Sequence, residues 1–172
     1  MHSLDLRFFH FWRRHSFSAK TDKFLRYYTR LGDGYVWALV AMFIYFFYGR
    51  AVLFNLIERS IPAILLSLAF YWLIKLSVRR KRPFDLLENV SAEVPPLDKY
   101  SFPSGHTMNN LAVGFTVAEI QSIGWIMVVM PLTWGLLRVY YGVHWLSDVI
   151  GGVCLGFLSF WLGRIIFNIL LQ

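Results

Sequence analysis

The sequence predicts an all-α fold: a polytopic membrane helix bundle of about five transmembrane helices, with interfacial amphipathic helices at its N-terminal side. Three observations predict it. Of 172 residues, 57% are hydrophobic and 16% charged, whereas ordinary globular chains carry about 25% charged residues. The charges are also segregated: residues 60–74, 104–118, 120–137 and 149–163 contain none, and 34–56 contain only Arg50. Finally, a chain of this length cannot cover so many all-round apolar helices with other protein, so lipid is the expected solvent.

Residues 1–33 alternate aromatics with bases. Phe8, Phe9, Phe11 and Trp12 stand among Arg7, Arg13 and Arg14, and Phe24, Tyr28 and Leu31 recur at helical spacing among Lys23, Arg26 and Arg30. This pattern predicts an interfacial amphipathic helix pair. No apolar run in it suits a cleavable signal peptide. Gly32-Asp33-Gly34 then turns the chain into the membrane. The expected spans are 34–57, 60–79, 104–121, 123–141 and 145–170, each near the roughly 20 residues that cross a bilayer core. A tight turn near Glu58, Arg59 and Ser60 is expected between the first two, with Pro62 in the first turn of the second. One domain is expected over 1–172, divided into the interfacial segment 1–33 and a transmembrane bundle 34–172.

The net charge of +7 points to anionic lipid headgroups and not to nucleic acid, because the lysines and arginines flank apolar spans instead of forming a folded basic face. No obligate protein partner is implied. The single cysteine, Cys154, lies inside the last expected span, which leaves no internal disulfide and no cysteine metal site.

Chemistry concentrates at one membrane face. If the second span ends at Lys75, the third must start on that face near Ser104, the fourth end there at Arg138 and the fifth start there at His144. Five histidines occur; His2, His10 and His15 lie in the N-terminal stretch, leaving His106 and His144 for the apolar body. His144 and Asp148 are four apart and share a helical face, so the carboxylate is placed to fix the imidazole tautomer; the same Asp also suits a helix entry. Ser104-Gly105-His106 opens a helix, with Ser104 as N-cap and free N–H groups suited to an oxyanion or phosphate. Lys75, Arg82 and Arg138 add three cations suited to phosphate oxygens. Isolated loop carboxylates (Asp85, Glu88, Glu93, Asp98) in 84–103 make no metal-ligand cluster, so no metal and no cofactor are expected.

These pieces together resemble the signature of the type 2 phosphatidic acid phosphatase superfamily. Six residues separate Lys75 from Arg82-Pro83, Pro103-Ser104-Gly105-His106 follows, and five residues separate Arg138 from His144, with three more between His144 and Asp148. The resemblance implies a nucleophilic His144 that forms a phosphohistidine, Asp148 as its orienting partner and His106 as the acid for the leaving lipid oxygen. It implies phosphate binding by Lys75, Arg82, Ser104, Gly105 and Arg138. Leu137 departs from the family pattern, which often has Ser or Thr before the third-motif arginine; a peripheral hydrogen bond is in question there. In overall character the chain is similar to compact bacterial members, above all the lipid A 1-phosphatases. Phosphatidylglycerophosphate and undecaprenyl pyrophosphate phosphatases carry the same signature. A vanadate-dependent haloperoxidase-like protein and a non-catalytic lipid phosphate binding or transport protein are the alternatives from other classes.

Fourteen of the 17 Lys and Arg fall on the active-site face, with Arg50, Arg59 and Arg164 nearer the other, and the positive-inside rule reads this as a cytoplasmic site. The family resemblance implies a periplasmic face of the bacterial inner membrane, and that is the expectation adopted.

Overall fold

The computed structural model describes residues 3–170; Met1, His2, Leu171 and Gln172, the outer ends of the two expected segments, lie outside it, as does the side chain of Ile123. Among the described residues all regular structure is helical: α1 (Ser3–Arg13), α2 (Ala19–Arg30), α3 (Tyr35–Tyr48), α4 (Arg50–Val78), α5 (Pro83–Leu86), α6 (Gly105–Ile120), α7 (Ile126–Tyr140) and α8 (Leu146–Leu170), with 3₁₀ turns at Leu31–Asp33 and Ser122–Trp125.

The expected turn at 58–60 is absent, because α4 runs through it as one helix of 29 residues. The break comes earlier, at Gly49, whose φ of 85° is costly for residues with a Cβ. The polar triplet is accommodated within the helix. Arg59 stacks 5.1 Å over the Phe167 ring and Ser60 is buried. Pro62 therefore sits inside the helix instead of in its first turn; it removes one backbone hydrogen bond.

By length and apolarity two helices, α4 and α8, are able to cross a membrane, and a third if α2 and α3, bent by 72°, count as one broken span. The helices α3, α6 and α7 have 14, 16 and 15 residues, about 21 to 24 Å at 1.5 Å per residue, less than a core of about 30 Å. Two or three of the five expected spans thus have the length and apolarity of a full crossing. Large apolar side chains stay exposed on the outside, Phe46, Phe47, Leu73 and Ile169 among them, as in a chain solvated by lipid. This is a membrane protein.

Packing is close where glycine removes bulk. Helix α8 lies against α4 and α6, and α6 against α7. A Cβ at Gly163 would come within 2.5 Å of the Ala63 nitrogen, and one at Gly114 within 2.2 Å of the Met127 carbonyl oxygen.

The N-terminal helices pack onto the bundle. Phe9 of α1 is buried against Trp145 and Trp12 Nε1 donates to the Leu136 carbonyl at 3.0 Å, so α1 is docked on the ends of α7 and α8. Helix α2 is capped by Ser18. Its Tyr28 shares a 2.7 Å hydroxyl hydrogen bond with Thr133 of α7. Between α5 and α6, residues 87–104 form a long irregular connection. Arg13 and Arg26 both clamp it at Glu93.

Candidate active site

The turn chemistry at one end of the bundle gathers the expected site residues. Lys75 ends α4, Arg82 precedes Pro83 at the start of α5, Ser104 precedes α6, His106 lies in its first turn, Arg138 ends α7, His144 sits in the connection to α8, and Asp148 lies in the first turn of α8. All seven are at most 3% exposed. Charged groups are buried this completely only when paired. Arg82, Gly105, His106, Arg138 and His144 line a cavity of about 410 Å³; Lys75, Ser104 and Asp148 stand behind that lining.

Arg82 is the pivot. Its Nη1 donates to the Val143 carbonyl at 2.6 Å and lies 3.4 Å from His144 Nε2. Its Nη2 donates to Asp98 Oδ1 at 3.0 Å and to the Tyr100 carbonyl at 2.9 Å. Lys75 Nζ reaches the same two acceptors at 2.7 and 2.8 Å. Arg138 Nη2 donates to the Pro95 carbonyl at 3.1 Å. All three expected phosphate-binding cations are thus tied to the 87–104 connection.

His144 Nδ1 stands 3.4 Å from Asp148 Oδ2, without hydrogen-bond alignment. That carboxylate is engaged elsewhere: Oδ2 accepts from the Trp145 backbone N–H at 2.7 Å and Oδ1 from Arg80 at 2.6 Å. The helix-entry reading of Asp148 is met directly, while its approach to the imidazole is by proximity without a hydrogen bond. It caps the helix entry, and it is the carboxylate next to the imidazole. Burial first, and then the charges of Arg82 and Arg138, hold the His144 imidazole well below its ordinary pKa, so the ring is neutral and its nitrogen lone pair available. Ser104 holds the N-cap position of α6 but makes no side-chain cap; its Oγ accepts from the Thr107 hydroxyl at 3.2 Å. A Cβ on Gly105 would meet the Tyr71 ring at 2.7 Å.

Four residues that sequence reasoning did not place in the site are present. Asp98 is anchored by Lys75, Arg82, the Tyr71 hydroxyl and the Tyr100 N–H. Burial opposes its ionisation, but the bonds from Lys75 and Tyr71 outweigh that and hold its carboxyl below the usual range. Asp33 Oδ1 lies 2.7 Å from His106 Nε2, close enough for an ion pair although not aligned as a hydrogen bond. Burial again opposes ionisation, and His106 more than offsets it. Arg80 and Asp5 complete the set behind Asp148. The readable signals were weak: an Asp between two glycines, one of four loop carboxylates, and one base in a run of four. The expectation of isolated loop carboxylates is corrected, since Asp98 is turned inward by the cations it neutralises.

The profile of the PAP2 superfamily matches residues 60–170. The chain belongs to the PAP2 superfamily. That match starts inside α4 and takes in every motif residue, while α1, α2 and α3 lie before it. Among solved PAP2 structures, LpxE of Aquifex aeolicus superposes with a TM-score of 0.79 at 27% identity, over 94% of this chain and 95% of that one. An undecaprenyl-diphosphatase of Sulfolobus acidocaldarius is 30% identical over 132 residues, 74% of this chain and 62% of that protein. Phosphatidylglycerophosphatase B of Bacillus subtilis is 35% identical over 91 residues, 44% of this chain and 45% of that protein. The chain spans about half the length of the curated relatives it matches.

Proposed function

We propose that this PAP2 protein is a metal-independent membrane lipid phosphatase, a phosphoric ester hydrolase that works through a phosphohistidine on His144. One observation carries the reading: a buried His144 and a second histidine, His106, border the same cavity as two buried arginines, Arg82 and Arg138. In the proposed reaction the lipid phosphate takes over the donors of Lys75 and Arg82 that now hold Asp98, with Arg138, Ser104 and the Gly105 N–H completing its seat. His144 Nε2, which faces Arg82, attacks phosphorus, and the bond to the lipid oxygen breaks. His106 gives that oxygen a proton. Water, losing a proton to His106, then attacks phosphorus, the N–P bond breaks, and His144 returns with inorganic phosphate released. The cations stabilise charge that develops on the phosphoryl oxygens.

Lipid A 1-phosphate is the leading substrate. The overall resemblance to lipid A 1-phosphatases supports it, as does likeness to LpxE along nearly the whole chain. Relatives named for undecaprenyl diphosphate and phosphatidylglycerophosphate make those lipids the second choice. The proposed location is the bacterial inner membrane with the site toward the periplasm.

The test is phosphate release by the detergent-purified chain, in excess chelator, from lipid A, phosphatidylglycerophosphate, phosphatidate and undecaprenyl pyrophosphate, with His144→Ala alongside. Chelator-resistant release that falls by more than about 10⁴-fold in the variant is expected, as for loss of a covalent nucleophile. Lipid binding without release from any of the four would favour a binding or transport protein, and halide oxidation with vanadate would favour a haloperoxidase.

A further inference from the structure

Behind the proposed nucleophile lies a chain of charge that starts outside the family-matched segment. Asp5 of α1 is 3% exposed. Its Oδ1 accepts from the Ser147 backbone N–H at 2.9 Å, and its Oδ2 from the Ser147 hydroxyl at 2.7 Å and from Arg80 Nη2 at 2.6 Å. The other arm of Arg80, Nη1, donates to Asp148 Oδ1 and to Ser147 Oγ, each at 2.6 Å. Asp148 Oδ2 then faces His144 Nδ1. The guanidinium lies over Trp145, 5.7 Å from its ring centre.

The arithmetic of charge gives this chain a purpose. Alone, Arg80 would cancel Asp148, leaving no net negative charge behind an imidazole that becomes cationic as it takes the phosphoryl group. The charged groups that act most on His144 are bases, Arg82 from the turn before α5, Arg138 from α7, Lys75 from α4 and His106 from α6, with Asp98 paired to Lys75 and Arg82 and Asp33 beside His106. A second carboxylate on Arg80 restores one net negative charge to the Asp5–Arg80–Asp148 set and holds Arg80 off a bidentate grip on Asp148.

We propose that Asp5 is a positioning residue of the catalytic apparatus, acting through Arg80 to hold Asp148 in place beside His144 and to keep a net negative charge behind that imidazole. The N-terminal helix α1 is then part of the active site's electrostatics and not only an interfacial anchor. This rests on His144 as the nucleophile.

The experiment uses the full chain, with kcat, KM and the pH profile measured on whichever panel lipid the unmodified protein turns over fastest. Asp5→Asn should lower kcat about tenfold, within the range of couplings in a charge network, with KM changed less than about twofold. It should also move the acid limb of kcat/KM to lower pH, since lost negative charge makes His144 harder to protonate. Arg80→Met removes the positive charge instead and should move that limb to higher pH. Asp5→Glu, which keeps the charge, should leave it in place. Opposite displacements in Asp5→Asn and Arg80→Met are the signature that a mere anchor for α1 does not produce. Lowered thermal stability with an unmoved limb in both variants would overturn the proposal while leaving the phosphatase reading intact. If Asp5→Asn does not fold, an acid limb in Arg80→Met that stays put or moves down overturns it equally. Absence of turnover by the unmodified protein would defeat the phosphatase reading and this inference with it.

Discussion

At the scale of single residues, the site is a problem of burying charge. Arg82 illustrates the solution, since its two Nη atoms serve two backbone carbonyls, one carboxylate and the edge of one imidazole. A lysine has no fork with which to hold all of these at once. His144 is solved differently, by staying neutral. Because burial and then the surrounding bases depress its pKa, and because it must be unprotonated to attack, the acid limb of the kcat/KM profile should lie below about 6.5, the ordinary histidine value. A profile measured from pH 4 to 9 checks this. An acid limb at or above that value would mean either that the ring is solvated or that another group is the nucleophile.

At the scale of elements, the connection 87–104 matters more than its irregularity suggests. It is held from outside by Arg13 and Arg26 on Glu93, and from inside by Lys75 and Arg82 on Asp98. In the proposed reaction phosphate competes with that carboxylate for the inner pair. Asp98→Asn keeps the shape and removes the competing charge, so the inhibition constant for inorganic phosphate should fall about tenfold, the scale of one charge-assisted hydrogen bond. Weaker inhibition would show instead that Asp98 builds the site by holding Lys75 and Arg82 in place. Helix existence was readable for α3, α4, α6, α7 and α8, with ends of the last three within a few residues. The Glu58-Arg59-Ser60 turn was not, because a polar triplet reads as a turn by composition. The partners that keep it helical, such as Phe167 stacked on Arg59, come from a distant part of the chain. Gly49 was the true break, and its left-handed φ is a property that glycine permits but does not announce.

At the scale of the whole molecule, orientation is where two arguments oppose each other. The basic face of the bundle carries the site, and some of its bases are spent on it: Lys75, Arg80 and Arg82 pair with Asp98, Asp5 and Asp148. Their positive charge is neutralised in the folded protein, which weakens the force of the positive-inside count. With a single cysteine introduced at exposed Glu88 (Glu88→Cys, in a Cys154→Ala background), a membrane-impermeant maleimide should label intact spheroplasts. Labelling only after lysis would place the site in the cytoplasm. By itself the sequence determined the helical membrane class, the end of the bundle where chemistry gathers, and the histidines, lysine and arginines of the motifs, because those follow from local apolar runs, spacing and the parity of crossings. Only the tertiary structure decided how the charges pair. Asp5 meets Ser147 across 142 positions of sequence and Asp33 meets His106 at 2.7 Å, and which carboxylate neutralises which buried base depends on distances that exist only once the helices have packed.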